Sequence, residues 1–331
     1  MLPLWSAGTR LNNVKAGKGM QIVLLGASGF LGRYVLKTLT GQGHRCTVLT
    51  RDSTGRSTLR LHPGVKLVQA DMYDREVLAT LFAGAGAVIS MAGILNESGR
   101  GGKGFHKVHV ELVEGVIEAC RTAGVKRLLH VSALNAGRGS SHYLKSKGEA
   151  EKRLLDASHL DVTIFQPSVI FGRGDEFFNR FAGMLRLMPV MPLACPNARL
   201  QPVFAGDVAS VMAAALEDPM TYGKRYELAG PLSYTLKELV QWTARSIGAR
   251  RWVIGLPRPL SAAMAAVMDL VPGKPLSWDN YQSLQTDNTS DRNDFAYFGV
   301  YPRAIDLVVP DYLTGSIHQR RLWAFRKRPR G

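Results

Sequence analysis

The sequence predicts an α/β protein, a doubly wound parallel sheet joined to a smaller C-terminal α/β domain. Three observations predict it. Short apolar runs alternate with amphipathic helical stretches through residues 20–172, an alternation that fits a parallel sheet with helices on both faces. The first run, Gln21 to Leu25, passes directly into the turn Gly26-Ala27-Ser28-Gly29-Phe30-Leu31-Gly32 and then into an amphipathic helix. Beyond Gly172 the pattern changes to amphipathic helices separated by proline-rich connections and isolated short strands. The plan that follows is a flexible leader (1–19) and a dinucleotide-binding domain (20–172) to which 200–230 returns. Residues 173–199 and 231–315 make a smaller substrate or cover domain, and 316–331 a basic tail.

The glycine turn asks for its residues on physical grounds. Gly26 permits the tight turn off the strand and Gly29 lets a pyrophosphate approach the backbone. Gly32 lets the helix sit against the sheet, while the helix N-terminus offers unpaired N–H groups and the positive end of its dipole. Arg45 to Thr50 forms a second strand that ends in Arg51-Asp52, with Arg56 and Arg60 following. An acid here binds the ribose hydroxyls of NAD, whereas an arginine receives the extra phosphate of NADP. The arginine comes first, which favours NADP(H); Asp52 keeps NAD(H) open.

Lys66 to Ala70 reads as a third strand ending in Asp71-Met72, and Asp74 as the cap of a helix from Arg75 to Phe82. Ala87 to Met91 is a fourth strand, after which Ala92 and Gly93 leave room for a cofactor. Glu97 to Gly104 reads as a lid-like glycine loop, Lys107 to Ala123 as a long helix, and Arg127 to Ser132 as a fifth strand. Next come Tyr143 and Lys147, four residues apart and so on one helical face. A lysine there is expected to lower the phenol's pKa and hold a ribose, leaving the phenol to exchange a proton with a carbonyl oxygen.

These pieces together resemble the short-chain dehydrogenase/reductase superfamily, in its extended or atypical branch, over roughly residues 20–315. The glycine turn, Asp71-Met72, Tyr143 with Lys147, Pro167-Ser168-Val-Ile-Phe-Gly172 and Phe204-Ala-Gly-Asp207-Val-Ala carry the resemblance. Four stretches are similar to one group in particular, namely HVSALNA (His130 to Ala136), Tyr143 to Glu151, Asp175 to Phe181 and Pro275 to Asn280. That group contains the nicotinamide-binding accessory subunit of mitochondrial respiratory complex I, its bacterial relatives, and proteins tied to ubiquinone biosynthesis. The resemblance implies a Rossmann fold with Tyr143 and Lys147 as catalytic residues; no metal is expected, because the histidines are dispersed along the chain. It implies a cofactor site of Gly26 to Gly32, Arg51, Asp71, Met72, Ala92, Gly93, Tyr143, Lys147, Pro167 and Ser168. It also implies peripheral association with inner-membrane respiratory or quinone-biosynthesis proteins, in the cytoplasm or on the cytoplasmic face of that membrane. One position departs from the family. The serine that polarises the substrate carbonyl should fall at Ala133; Ser132 lies one residue early, and Ser140 or Ser141 could substitute from the loop.

In the later half, Phe177 to Leu187 reads as a helix and Met188 to Pro196 as a proline-rich loop that can cover a site. Asp207 to Glu217 reads as a helix capped by its aspartate. Phe177, Phe178, Met184, Met188 and Met191 are a candidate apolar substrate wall, with ordinary core as the competing reading. Leu260, Met264, Val267, Met268 and Val271 share one face of a helix that could dock on a core, a partner or a bilayer surface, with core packing the leading expectation.

Composition narrows the function classes. The three cysteines, Cys46, Cys120 and Cys195, are far apart, which argues against a disulfide frame or metal knuckle. The net charge of +16 sits largely at the ends: Arg10, Lys15 and Lys18, with Arg320, Arg321, Arg326, Lys327, Arg328 and Arg330, leave +7 for the remainder. Such ends suit an anionic lipid surface or an acidic partner. Nucleic acid ranks last, its only support being that tail. Three functional readings remain. The first is an NADP(H)-holding protein attached to a membrane quinone-linked system. The second is an NADPH-dependent oxidoreductase of an apolar carbonyl or quinone-like substrate. The third is a sugar-nucleotide epimerase or dehydratase.

Overall fold

The computed structural model describes residues 19–51, 63–97, 99, 101–271 and 274–314. Its centre is a seven-stranded sheet in the order β11-β6-β5-β4-β1-β2-β3. The strands are β1 (Gln21–Leu25), β2 (Arg45–Thr50), β3 (Val65–Gln69), β4 (Ala87–Ser90), β5 (Arg127–Val131), β6 (Asp161–Pro167) and β11 (Lys224–Leu228), all paired in parallel. Ile22 to Leu25, and all of β4 and β5, are buried. Continuous apolar runs of this kind are what a sheet covered on both faces requires.

Helices α1 (Phe30–Gly41) and α6 (Ala205–Ala215) cover one face, joining Val35, Leu36 and Leu39 to Val208 and Met212. The other face carries α2 (Arg75–Phe82), α3 (Leu112–Ala123) and α4 (His142–Asp156), whose Leu78, Phe82, Val113, Val116, Ala150 and Leu154 form a second core layer. Asp74 caps α2 as its sequence position suggests, accepting from the N–H groups of Glu76 and Val77. The connection into α3 runs through a helical turn (Lys103–His106) and a π-helical turn (Lys107–Glu111), so helix begins earlier than its hydrophobic pattern indicates. The strand order reverses between β1 and β4, which opens a crevice at their carboxyl ends.

Arg127 locks the far edge of the sheet. Its buried guanidinium donates to the carbonyls of Leu216 and Asp161 and to the hydroxyls of Thr163 and Thr221. It also lies 4.5 Å from the Tyr222 ring centroid. Five fixed donors meet acceptors that would otherwise be stranded in the interior.

A third core joins α5 (Phe177–Leu187), α7 (Leu236–Ser246) and α10 (Ile305–Leu313). Four expectations are corrected in this region. Phe177, Phe178, Met184, Met188 and Met191 belong to this core and do not line a substrate wall. The Met188 to Pro196 segment is not simply a loop, because β8 (Val190–Leu193) pairs in parallel with β13 (Trp252–Gly255). Asp207 does not cap α6, which starts at Ala205. Its carboxylate instead accepts from the Arg303 guanidinium at 2.7 Å and 2.9 Å and from the Arg303 N–H. Finally, α8 (Arg258–Met268) buries Ser261 and Ala265, and the face carrying Leu260 and Val267 points outward.

Candidate nucleotide and active site

The crevice is built from backbone that only glycine tolerates. Gly26 sits at φ +81°, and a Cβ there would lie 2.8 Å from the Ala92 nitrogen and the Met91 carbonyl carbon. The turn after β1 therefore touches the end of β4 directly. A Cβ on Gly32 would lie 2.3 Å from Cα of Ala27, so only glycine lets α1 start this close to the strand. Gly29 is the N-cap of α1 and makes no side-chain capping bond. The first-turn N–H groups thus face the crevice without a built-in acceptor, as an anion site requires. Ala27 is buried beneath the turn, while Ser28, Phe30 and Leu31 are half-buried around it. These features fit a dinucleotide pyrophosphate.

The remaining predicted binding residues divide by location. Ala92 and Gly93 follow β4 at the crevice floor, and a Cβ on Gly93 would come within 3.3 Å of the Lys147 ammonium nitrogen. Arg51 is exposed at the end of β2 and acts electrostatically on Tyr73; Lys107 lies 5.0 Å from the Tyr73 ring centroid. Asp71 accepts from the Tyr73 N–H, with Met72 between them. Asp52, Arg56 and Arg60, like the basic residues of the leader and tail, lie outside the described residues. Pro167 ends β6 and accepts from the Leu134 N–H, whereas the Ser168 hydroxyl is committed to Asn288.

Tyr143 and Lys147 stand in the first turns of α4, whose N-cap is Ser141. That capping bond, accepted from the Leu144 N–H at 3.2 Å, occupies Ser141 and removes it as a stand-in for the missing serine. Ala133 is buried at the end of β5. His130 and Ser132 share the opposite face of that strand, the one that Leu128 presents to the α3 and α4 layer. The hydroxyl of Ser132 is buried and has no hydrogen-bond partner among the described residues. Among the described residues the two ring nitrogens of His130 share that condition, so the end of β5 carries two buried side chains whose polar atoms lack partners.

The expected effect of the lysine on the phenol is not what the structure shows. Tyr143 is pushed up to about 12, first by burial and then by the Asp279 carboxylate. Lys147 is itself brought down to about 8 by burial, against the pull of Glu151, and donates to the Val131 carbonyl at 3.1 Å. In this state the phenol stays protonated.

Sequence reasoning missed His109, which comes from the π-helical turn. Its Nδ1 lies 2.8 Å from Ser146 Oγ, and Ser146 donates its own proton to the Tyr143 carbonyl. Nδ1 therefore carries the proton, and Nε2 accepts from the Ile94 N–H at 3.2 Å. The ring ties the crevice floor to the tyrosine helix. It is held neutral, brought down to about 2 by burial and by the neighbouring Lys147 and His130. A lone histidine amid apolar residues gives no such signal in the sequence.

Beside Tyr143 lies a cavity of about 330 Å³ lined by Phe105, His142, Trp278, Asp279, Glu97 and Lys274, among others. Phe105 meets the Tyr143 ring edge-on at 6.0 Å, and Asp279 accepts from the Tyr143 N–H. Glu97 fixes the glycine loop over this cavity by accepting from the N–H groups of Gly102 and Gly104, both at 2.9 Å. Among the described residues no cluster could hold a metal ion.

Residues 26–181 match the family described as NAD(P)H-binding. The mitochondrial NADH dehydrogenase (ubiquinone) 1 alpha subcomplex subunit 9 of Rattus norvegicus is 29% identical over 82% of this chain and 73% of its own length. In Mus musculus the same subunit is 32% identical over 68% of this chain, which spans only 60% of that protein. The ceramide reductase of Caulobacter vibrioides is 30% identical over 75% of this chain and 77% of its own. Among solved structures, the UDP-glucose 4-epimerase of Thermotoga maritima superposes with a TM-score of 0.72 at 16% identity, over 92% of this chain and all of that one. At that identity the likeness is one of fold.

Proposed function

This chain belongs to the NAD(P)H-binding proteins of the short-chain dehydrogenase/reductase type, and from that premise we propose that it reduces an apolar carbonyl substrate at a membrane surface. The observation that carries the reading is the placement of Tyr143, in the first turn of a helix that runs along the cofactor crevice and bounds the cavity lined by Phe105 and Trp278. A reductase relative named for ceramide supports an apolar substrate. Exposed Arg51, with Lys107 near Tyr73, supports NADPH over NADH.

NADPH, when bound, supplies the hydride that reduces the carbonyl carbon. Tyr143 delivers the proton to the carbonyl oxygen, and its raised pKa keeps it in the donor form beforehand. Lys147, anchored on the Val131 carbonyl, is placed to hold a ribose hydroxyl and to stabilise the phenolate left behind. Ser132 is the nearest substitute in the chain for the oxyanion donor lost at Ala133.

Ala133 also favours a second reading, in which the protein holds its nucleotide with little turnover inside a quinone-linked membrane assembly; the complex I relatives support that role. One experiment separates the two. The purified protein is stripped, its nucleotide identified, and NADPH absorbance followed with quinones and long-chain ketones, using Tyr143→Phe as control. Oxidation that disappears in Tyr143→Phe supports the reductase. A bound nucleotide that stays reduced with every carbonyl, in both proteins, refutes it in favour of the holding role.

A further inference from the structure

We propose that the face formed by β8, β13 and the outer side of α8 is a docking surface for an anionic lipid bilayer. The proposal deepens the membrane reading above by naming the surface, and it places that surface on the folded body.

The face is apolar where the fold gives no reason for it. In the β8–β13 pair, Val190 lies opposite Trp252 and Pro192 opposite Ile254. These residues alternate with the buried Met191 and Leu193, so the pair turns its apolar outer side to solvent. Trp252 is 76% exposed and Leu187, at the end of α5, is 85% exposed. The chain then enters α8 within a few residues. The Cys195 N–H donates to Ser261 Oγ, and the Leu256 N–H donates to the Leu193 carbonyl, so the start of α8 is fastened beside the ends of both strands. Its small residues Ser261 and Ala265 face inward, leaving Leu260 and Val267 exposed, with Leu270 following at 68%. Isolated exposed apolar residues need no explanation; a run of them across adjoining elements does.

Charge selects the occupant. Between Glu238 and Asp269 the chain carries Arg245, Arg250, Arg251 and Arg258 and no acid, and Arg186 precedes β8. Arg245, Arg250, Arg258 and Arg186 are exposed. An exposed tryptophan and aliphatic side chains rimmed by arginine match the layering of a bilayer interface, where the rings sit among headgroups and the cations meet anionic lipid. The cavity beside Tyr143 takes part of its wall, Ala266 and Asp269, from this same stretch. A protein docked by this face would therefore present the cavity close to the lipid that dissolves an apolar carbonyl compound.

The test is cosedimentation of the full chain with vesicles of phosphatidylethanolamine and phosphatidylglycerol, against vesicles of phosphatidylcholine alone. The wild type is expected to bind the anionic vesicles and to be released by salt. Trp252→Glu with Val267→Glu should weaken binding by about tenfold or more. Arg250→Gln with Arg258→Gln, which leaves the apolar residues in place, should weaken it by several-fold. Nucleotide binding, which uses none of these residues, should be unchanged in both and reports folding. A third variant with the six basic tail residues changed to Gln should retain most of the binding. If only the tail variant loses binding, or if the face variants alter the oligomeric state and leave vesicle binding intact, the proposal falls; in the latter case the face belongs to a second copy. None of these readouts requires turnover, so inactivity with every carbonyl would refute the reductase reading without touching this one.

Discussion

Acid should unfold this protein through two histidines, and the size of the effect follows from their surroundings. His109 and His130 are both buried to 1% exposure. His109 is held neutral by a chain in which each atom has one role, with Nδ1 donating to Ser146 and Nε2 accepting from the Ile94 N–H. A second proton would set two N–H groups against each other beside Lys147. His130 is likewise shifted well downward, by burial and then by Lys147. In both cases the folded pKa lies below the unfolded one, so the unfolded chain binds more protons as pH falls below about 6.5. The stability held by neutral folded histidines is complete above that pH. It is lost at about 1.4 kcal/mol per pH unit for each residue until the folded pKa is reached. Between about pH 6.5 and 4.5 His109 should remove roughly 2–3 kcal/mol, a sizeable share of a typical domain's stability, and His130, shifted in the same direction, adds to the loss. Urea unfolding at several pH values checks this, with His109→Gln as the comparison. The variant should start less stable, yet its stability should fall less steeply with acid, by the slope of one proton. Identical slopes in wild type and variant would refute the reasoning.

Two further predictions concern the nucleotide. Gly26→Ala places a methyl 2.8 Å from the end of β4 at φ +81°. It should destabilise the fold by about 1–3 kcal/mol and weaken NADPH binding more than tenfold, read by nucleotide fluorescence titration. Arg51→Glu should raise the NADPH dissociation constant by about tenfold with little change for NADH, because it reverses a charge at the edge where an extra phosphate would sit. Equal effects on the two nucleotides would move the phosphate site elsewhere.

The sheet was legible because its signals are local. Ile22 to Leu25 and Ala87 to Ser90 announce buried parallel strands by composition alone, and Gly26, Gly29 and Gly32 mark the turn between strand and helix. Tyr143 and Lys147 were found by spacing. What stayed hidden depends on partners far along the chain. Asp207 reads as a helix cap until Arg303 arrives, and Ser168 reads as a cofactor ligand until Asn288 claims it. The apolar stripe of α5 carries the same letters whether it lines a cavity or fills a core. For α8 the usual rule fails outright, because the apolar face lies outside. Small Ser261 and Ala265 let the helix approach its neighbours closely, and close approach settled which side went in. His109 finds its partners only through a hydrogen-bond network assembled from three separate segments.

The seventh strand has a consequence for how the protein is made. β11 pairs with β6, yet more than fifty residues separate them in the chain, including α5 of the smaller lobe and α6 of the sheet's own covering layer. A nascent polypeptide leaving the ribosome therefore presents β6 with one row of backbone N–H and C=O groups unpaired, flanked by Val162 and Ile164, until Leu228 has emerged. Arg127 waits equally long for Leu216 and Thr221. During that interval the half-built sheet has an open, adhesive edge of the kind that recruits strands from neighbouring chains. Slow translation, or a stop anywhere between residues 168 and 228, should thus favour aggregates over soluble fragments, and the nucleotide-binding half should not be recoverable by itself through truncation after Gly172.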